Sequence, residues 1–185
     1  DQWLGLSRID ETTPDAYLYP EYDDVLRRAM LDETRSFVEH LIHENLSTDN
    51  LIDSEFTFVN RKLAEHYGIE GVLGEEVRKV MLPEDSVRGG IITHASIAKI
   101  TANGTVTTPV KRGNYVLTTL LGLPPNPPPP NVGSIEPDTR GATSIRETLA
   151  KHQEVETCAM CHRRIDPPGF ALETFDPVGN YREQY

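Results

Sequence analysis

Apolar residues recur along much of this chain at steps of three and four, the period of an amphipathic helix. The longest stripe is Tyr22, Val25, Leu26, Ala29, Met30, Phe37 and Leu41. It predicts a helix over residues 20–45, with Pro20 and Glu21 suited to its first turn. Asp23, Asp24, Arg27, Arg28, Asp32, Glu33, Arg35 and Glu39 fall on the other faces and read as solvated charge. His40 and His43 lie near the C-terminal end, where an imidazole interacts well with the helix dipole. After a turn at 47–50, Asp53 or Ser54 is expected to cap a second helix over 55–67. Phe56, Val59, Leu63 and Tyr67 would form its buried face, His66 would cap its last turn, and Gly68 would end it.

Residues 69–90 are irregular and admit a short strand at 76–82. Thr107-Thr108-Pro109 opens a third helix, running to Leu121 and stopped by Gly122. Six prolines among residues 124–130 enforce an extended polyproline conformation, read as a stiff tie across the surface. A fourth helix is expected over 143–154, with Ile145 and Leu149 inward. For residues 1–19, two readings stand: a strap packed through Trp3, Leu4, Leu6 and Ile9, or a loosely ordered leader. The pattern predicts a mainly α protein with long loops. Its expected divisions are a leader at 1–21, a helical subdomain at 22–75, and a segment at 76–185 packed on it as one module.

Charge narrows the function classes. The formal net charge is −11, which argues against nucleic acid or an anionic membrane surface as partner and favours a basic one. No run of 18 apolar residues exists in the sequence, so no membrane span is expected in it.

The candidate chemistry is concentrated in one place. Both cysteines of the chain fall in Cys158-Ala159-Met160-Cys161-His162, the C-x-x-C-H pattern of c-type haem attachment. Two thiols one helical turn apart can each form a thioether with a haem vinyl group, and the adjacent imidazole then reaches the iron as proximal ligand. By composition, a chance match is an event of roughly one in a thousand. A thioredoxin-like pair would want a strand before the motif, and Glu154 to Thr157 is too short and charged for one. A structural zinc site would need two further ligands from distant histidines. A disulfide between Cys158 and Cys161 would leave His162 unexplained.

Around the motif, Pro167 and Pro168 are expected to stop its helix. Phe170, Leu172 and Phe175 offer an apolar wall for a porphyrin edge, and Arg163, Arg164 and Arg182 offer cations for the propionates. His94, set among Ile91, Ile92, Ala95 and Ile97, is the leading candidate for a sixth iron ligand, ahead of Met30 and Met81. Arg112 is a further distal candidate. His152 is too near Cys158 in sequence to reach the opposite haem face.

The stretch from Cys158 through Ile165-Asp166-Pro167-Pro168-Gly169-Phe170 to Asp176 closely resembles the C-terminal segment of the large multidomain cytochromes abundant in planctomycetes. Residues 57–69, Arg88 to Ser96, and Thr107 to Gly113 resemble two adjoining domains of unknown function in the same proteins. The resemblance implies an irregular, cytochrome c-like helical module of a longer exported protein. It also implies one covalent haem c on Cys158 and Cys161, with His162 on the iron. Because such attachment takes place outside the cytoplasm, the expected location is periplasmic or exported, with the targeting signal upstream of Asp1. The expected role is electron transfer, with a redox protein and the other domains of the parent chain as partners. Two alternatives stand beside it. One is a five-coordinate haem that binds a small ligand or does peroxidase-like chemistry, with His94 or Arg112 as distal groups. The other is a haem-free interaction module.

Overall fold

The structure, a computed structural model, describes residues 1–126 and 145–183. It is mainly α, about 49% helical, with one two-stranded sheet. Two compact units form: Asp1–Thr108 with Leu172–Tyr185, and Pro109–Ala171.

In the first unit, Asp23 is extended and its carboxylate accepts the amide of Leu26 at 2.7 Å, which starts helix α1 (Asp24–His43). Leu26, Ala29, Met30, Phe37 and Leu41 are buried as the stripe predicts, whereas Val25 lies at the edge, half exposed. Glu33 and Thr34 join the buried face. The stretch expected as one helix at 55–67 divides in two. Phe56-Thr57-Phe58-Val59 forms strand β1 (Phe56–Val59), paired antiparallel with β2 (Arg78–Met81) in the register Phe56–Met81 to Val59–Arg78. Aromatic and β-branched residues fit a pleated surface better than a helix. Helix α2 (Arg61–Tyr67) then begins at Asn60, whose side chain accepts the amide of Leu63 at 3.0 Å. So Asn60, not Asp53 or Ser54, is its cap. Gly68 ends it at φ +70°, as expected.

Helix α3 (Ala95–Ile100) is buried along its whole length. Its Lys99 amine donates to the carbonyls of Ile9 and Thr12 and to the Thr12 hydroxyl. With Leu4, Leu6 and Ile9 also buried, the N-terminal residues form a strap, while Trp3, the fourth residue expected to pack, is half exposed. The C-terminal part of this unit is tied in by two arginines. Arg88 donates to the carbonyls of Thr93 and Gly179 and lies 3.5 Å over the Tyr67 ring. Arg182 donates to the Glu173 carbonyl and to the Thr107 hydroxyl, which itself donates to the buried Glu173 carboxylate.

The second unit contains α4 (Pro109–Tyr115), continued by one π-helical turn at Val116–Leu120, then α5 (Ile145–His152) and α6 (Glu156–Ala171). α4 and α6 meet backbone to backbone. A Cβ on Gly113 would collide with the Ile165 carbonyl, and one on Gly169 with the Pro109 carbonyl. Pro167 and Pro168 do not stop α6, which runs through them to Ala171. The carbonyls of Arg163 and Arg164 lose the i+4 amides that these prolines lack, and both residues are exposed. The polyproline reading of Pro127 to Pro130, the helix start at Thr143 and the side chain of Ile145 lie outside the described residues. Among the described residues no helix is long and apolar enough to cross a membrane.

Candidate functional site

The C-x-x-C-H motif occupies the first turns of α6. At about 100° per residue, the side chains of Cys158, Cys161 and His162 share an arc of about 100° on the helix. Both thiols are free; Cys158 is 5% exposed and Cys161 is half buried. A single short stretch of helix therefore presents two nucleophilic sulfurs and an imidazole on one side.

The imidazole is held by a group that the sequence reading did not assign. His162 Nδ1 lies 3.0 and 3.1 Å from the two carboxylate oxygens of Asp166, one turn further along α6. Asp166 is 2% exposed, and its Oδ2 also accepts the Gln153 side-chain amide at 2.8 Å. A carboxylate can only accept, so the contact calls for the proton on Nδ1, which in a neutral ring leaves the lone pair on Nε2. The His152 ring stands edge-on to His162, with centroids 4.8 Å apart, and burial, then the neighbouring His162, pushes the His152 pKa down. The spacing H-x-x-x-D on a helix was the available signal for Asp166, since positions i and i+4 face each other.

Beside His162 lies an open hollow of about 580 Å³, lined by Arg146, Gln153, His162, Arg163, Asp166, Pro167, Phe170 and Ala171. Its size is within the usual range of ligand sites. The Arg146 guanidinium sits 4.2 Å over the Phe170 ring. Of the residues singled out from sequence, His162, Arg163 and Phe170 come together here. Arg163 is exposed and pairs with Glu156 at 3.3 Å, and Arg164 is exposed on the same helix. Arg112 is buried in α4. Leu172 and Phe175 are buried in the first unit, where Phe175 packs near the Arg88 guanidinium and Tyr181. Arg182 serves the Thr107–Glu173 tie described above.

His94 lies in the first unit, 2% exposed, at the start of α3. Its Nδ1 is 3.0 Å from the Thr34 hydroxyl, and its ring stands edge-on to Phe37 at 4.9 Å. Among the described residues its Nε2 has no hydrogen-bond partner, and it lies 3.9 Å from the Glu33 carboxylate. Among the described residues, no group of three or more His, Cys, Asp or Glu side chains is placed to hold a bare metal ion.

A family model described as PSCyt3, protein of unknown function (DUF1588), matches residues 88–185, more than half of the chain. The chain belongs to the DUF1588 family. A second model, PSD4, protein of unknown function (DUF1592), matches residues 1–69. These are two adjoining domains of unknown function, as the resemblance implied. The DUF1588 stretch carries α3 to α6 and with them the whole C-x-x-C-H site; the DUF1592 stretch carries α1, β1 and α2. No curated protein and no solved structure matches the chain.

Proposed function

We propose that this DUF1588 chain is a c-type haem module, with one haem held covalently by Cys158 and Cys161 and its iron ligated by His162. The observation that carries this reading is the joint placement on α6 of two free thiols and an imidazole whose Nδ1 is taken by Asp166. The donor set fits the group. The macrocycle brings four nitrogen ligands of its own, so the protein needs to supply one imidazole rather than a cage of three or four side chains. Arg163 and Phe170 beside His162 supply a cation for a propionate and an apolar surface for the ring edge. When bound, haem supplies a one-electron iron couple; the chain fixes its position and sets its electrostatics.

The first role for such a module is electron transfer, within a longer exported protein and toward a partner whose basic surface complements the net charge of −11. A second role is favoured by one observation. His94, the sequence's sixth-ligand candidate, has its ring enclosed by Phe37, Thr34 and Glu33 and offers no open face in this conformation. An iron with His162 alone would keep a free position for a small ligand or peroxidase-like chemistry.

The test is the mass of the denatured chain after production with a haem-attachment system, followed by visible spectra with and without carbon monoxide. The expected result is one covalent haem, lost as a stable double attachment in Cys158→Ser. A chain of unmodified mass contradicts the proposal. A reduced spectrum that ignores carbon monoxide assigns two protein ligands and electron transfer. One that shifts assigns the open site. In the first case His94→Ala tests the sixth ligand: it gives high-spin iron if His94 is bound.

A further inference from the structure

We propose that Asp166, itself held by Gln153, is the positioning residue of the site: it fixes His162 as the Nδ1–H tautomer and gives its Nε2 anionic character. The inference rests on the haem reading for its consequence but not for its geometry. An exposed His–Asp pair one turn apart is an ordinary helix contact of a few tenths of a kcal/mol. Asp166 is not exposed. It is 2% accessible, and both of its oxygens lie within 3.1 Å of Nδ1. A buried carboxylate costs several kcal/mol unless its lone pairs are met. Here they are met by the imidazole N–H and by the Gln153 amide at 2.8 Å. Gln153 in turn is fixed by its own backbone amide, which donates to the carbonyls of Leu149 and Ala150 at the end of α5. The ring thus cannot flip without breaking a charge-assisted bond in a site of low dielectric.

A carboxylate behind an imidazole raises the basicity of the opposite nitrogen, a relation common to metal-ligating histidines. For an iron bound at Nε2, the added electron density stabilises the ferric state over the ferrous. The site is therefore set toward a low reduction potential by Asp166, apart from any choice of sixth ligand.

The experiment uses the full chain with and without haem, in wild-type, Asp166→Asn, Asp166→Ala and Gln153→Ala forms. Asparagine keeps the shape and one acceptor but removes the charge, so it survives even if alanine does not fold. In the haem-free chain, ¹⁵N shifts of His162 report the tautomer. Wild type is expected to hold the proton on Nδ1, and Asp166→Ala to show a mixture. In the loaded chain, Asp166→Asn should raise the potential, changing the ferric-to-ferrous ratio at fixed poise by about five- to tenfold, the difference between a charged and a neutral acceptor. Gln153→Ala should move it in the same direction by less. An Nε2–H tautomer in wild type, or a potential unmoved by Asp166→Asn, overturns the proposal. If the chain takes up no haem, the haem reading falls, while the tautomer result still decides the role of Asp166.

Discussion

Glu33 is the residue with most at stake in the first unit. Its carboxyl is 1% exposed and receives the hydroxyls of Thr57 at 2.7 Å and Tyr67 at 2.6 Å. Loss of hydration outweighs these bonds and the nearby Arg88 charge, and pushes it up to about 7. His94, 3.9 Å away, is pushed down to about 3 by burial first and by Arg88 second. The two groups act on stability with opposite signs. Folded Glu33 binds its proton more tightly than the unfolded chain does, so its contribution is complete below about pH 4.5 and is lost as the pH climbs to about 7. His94 resists protonation when folded, so its contribution is complete above about 6.5 and is lost toward 3. The urea midpoint should therefore rise from pH 3 to 4.5, stay level to 6.5, and drop just above. Across the whole of Glu33's range the opposing contribution is on the order of 3 kcal/mol. Glu33→Gln should abolish the drop, and a wild-type midpoint level from pH 6 to 8 would count against a neutral buried Glu33. The sequence reading assigned Glu33 to a solvated face. Its position was informative all the same: Glu33 and Thr34 fall between Met30 and Phe37 at helical steps, on the apolar stripe itself. Charge alone concealed it, because the hydroxyls that satisfy it come from Thr57 and Tyr67, remote in sequence.

At the scale of elements, α4 and α6 pack through glycine. In an open helix, Gly→Ala is stabilising by up to about 1 kcal/mol. At Gly169 the added methyl would strike the Pro109 carbonyl, a backbone atom that cannot rotate away. Gly169→Ala should instead destabilise by about 1–3 kcal/mol, the usual cost of overpacking. Gly113→Ala, against the Ile165 carbonyl, should behave alike in urea titrations. A stabilised variant would show that the helices do not approach this closely. The same scale marks what local pattern could and could not supply. The stripe of α1, the Gly68 stop and the strand at β2 were readable because each is a local signal. β1 was not, because Phe56, Val59, Leu63 and Tyr67 mimic a helical period across what is a strand and then a helix. The cap that separates them, Asn60, stood unremarked between two apolar runs. Pro167 and Pro168 misled in the other direction: α6 runs through both, and the two residues whose carbonyls lose an amide to them, Arg163 and Arg164, are exposed.

For the molecule as a whole, the motif was legible from five residues, whereas its burial was not. Cys158 is 5% exposed and Cys161 half buried, although their sequence contexts are alike. In the native chain with both thiols free, a thiol reagent should modify Cys161 first, and Cys158 at least about tenfold more slowly, through opening of the second unit. Denaturant should make the two rates equal, and equal rates in the native chain would contradict the packing of α6. The chain enters the second unit at Pro109 and leaves it at Ala171, while the first unit is completed on both sides, by Thr107 before the departure and by Glu173 and Arg182 after the return. The first unit is therefore discontinuous in sequence: the ties that complete it join residues on either side of the segment that carries Cys158 to His162, and breaking them releases both ends of that segment at once.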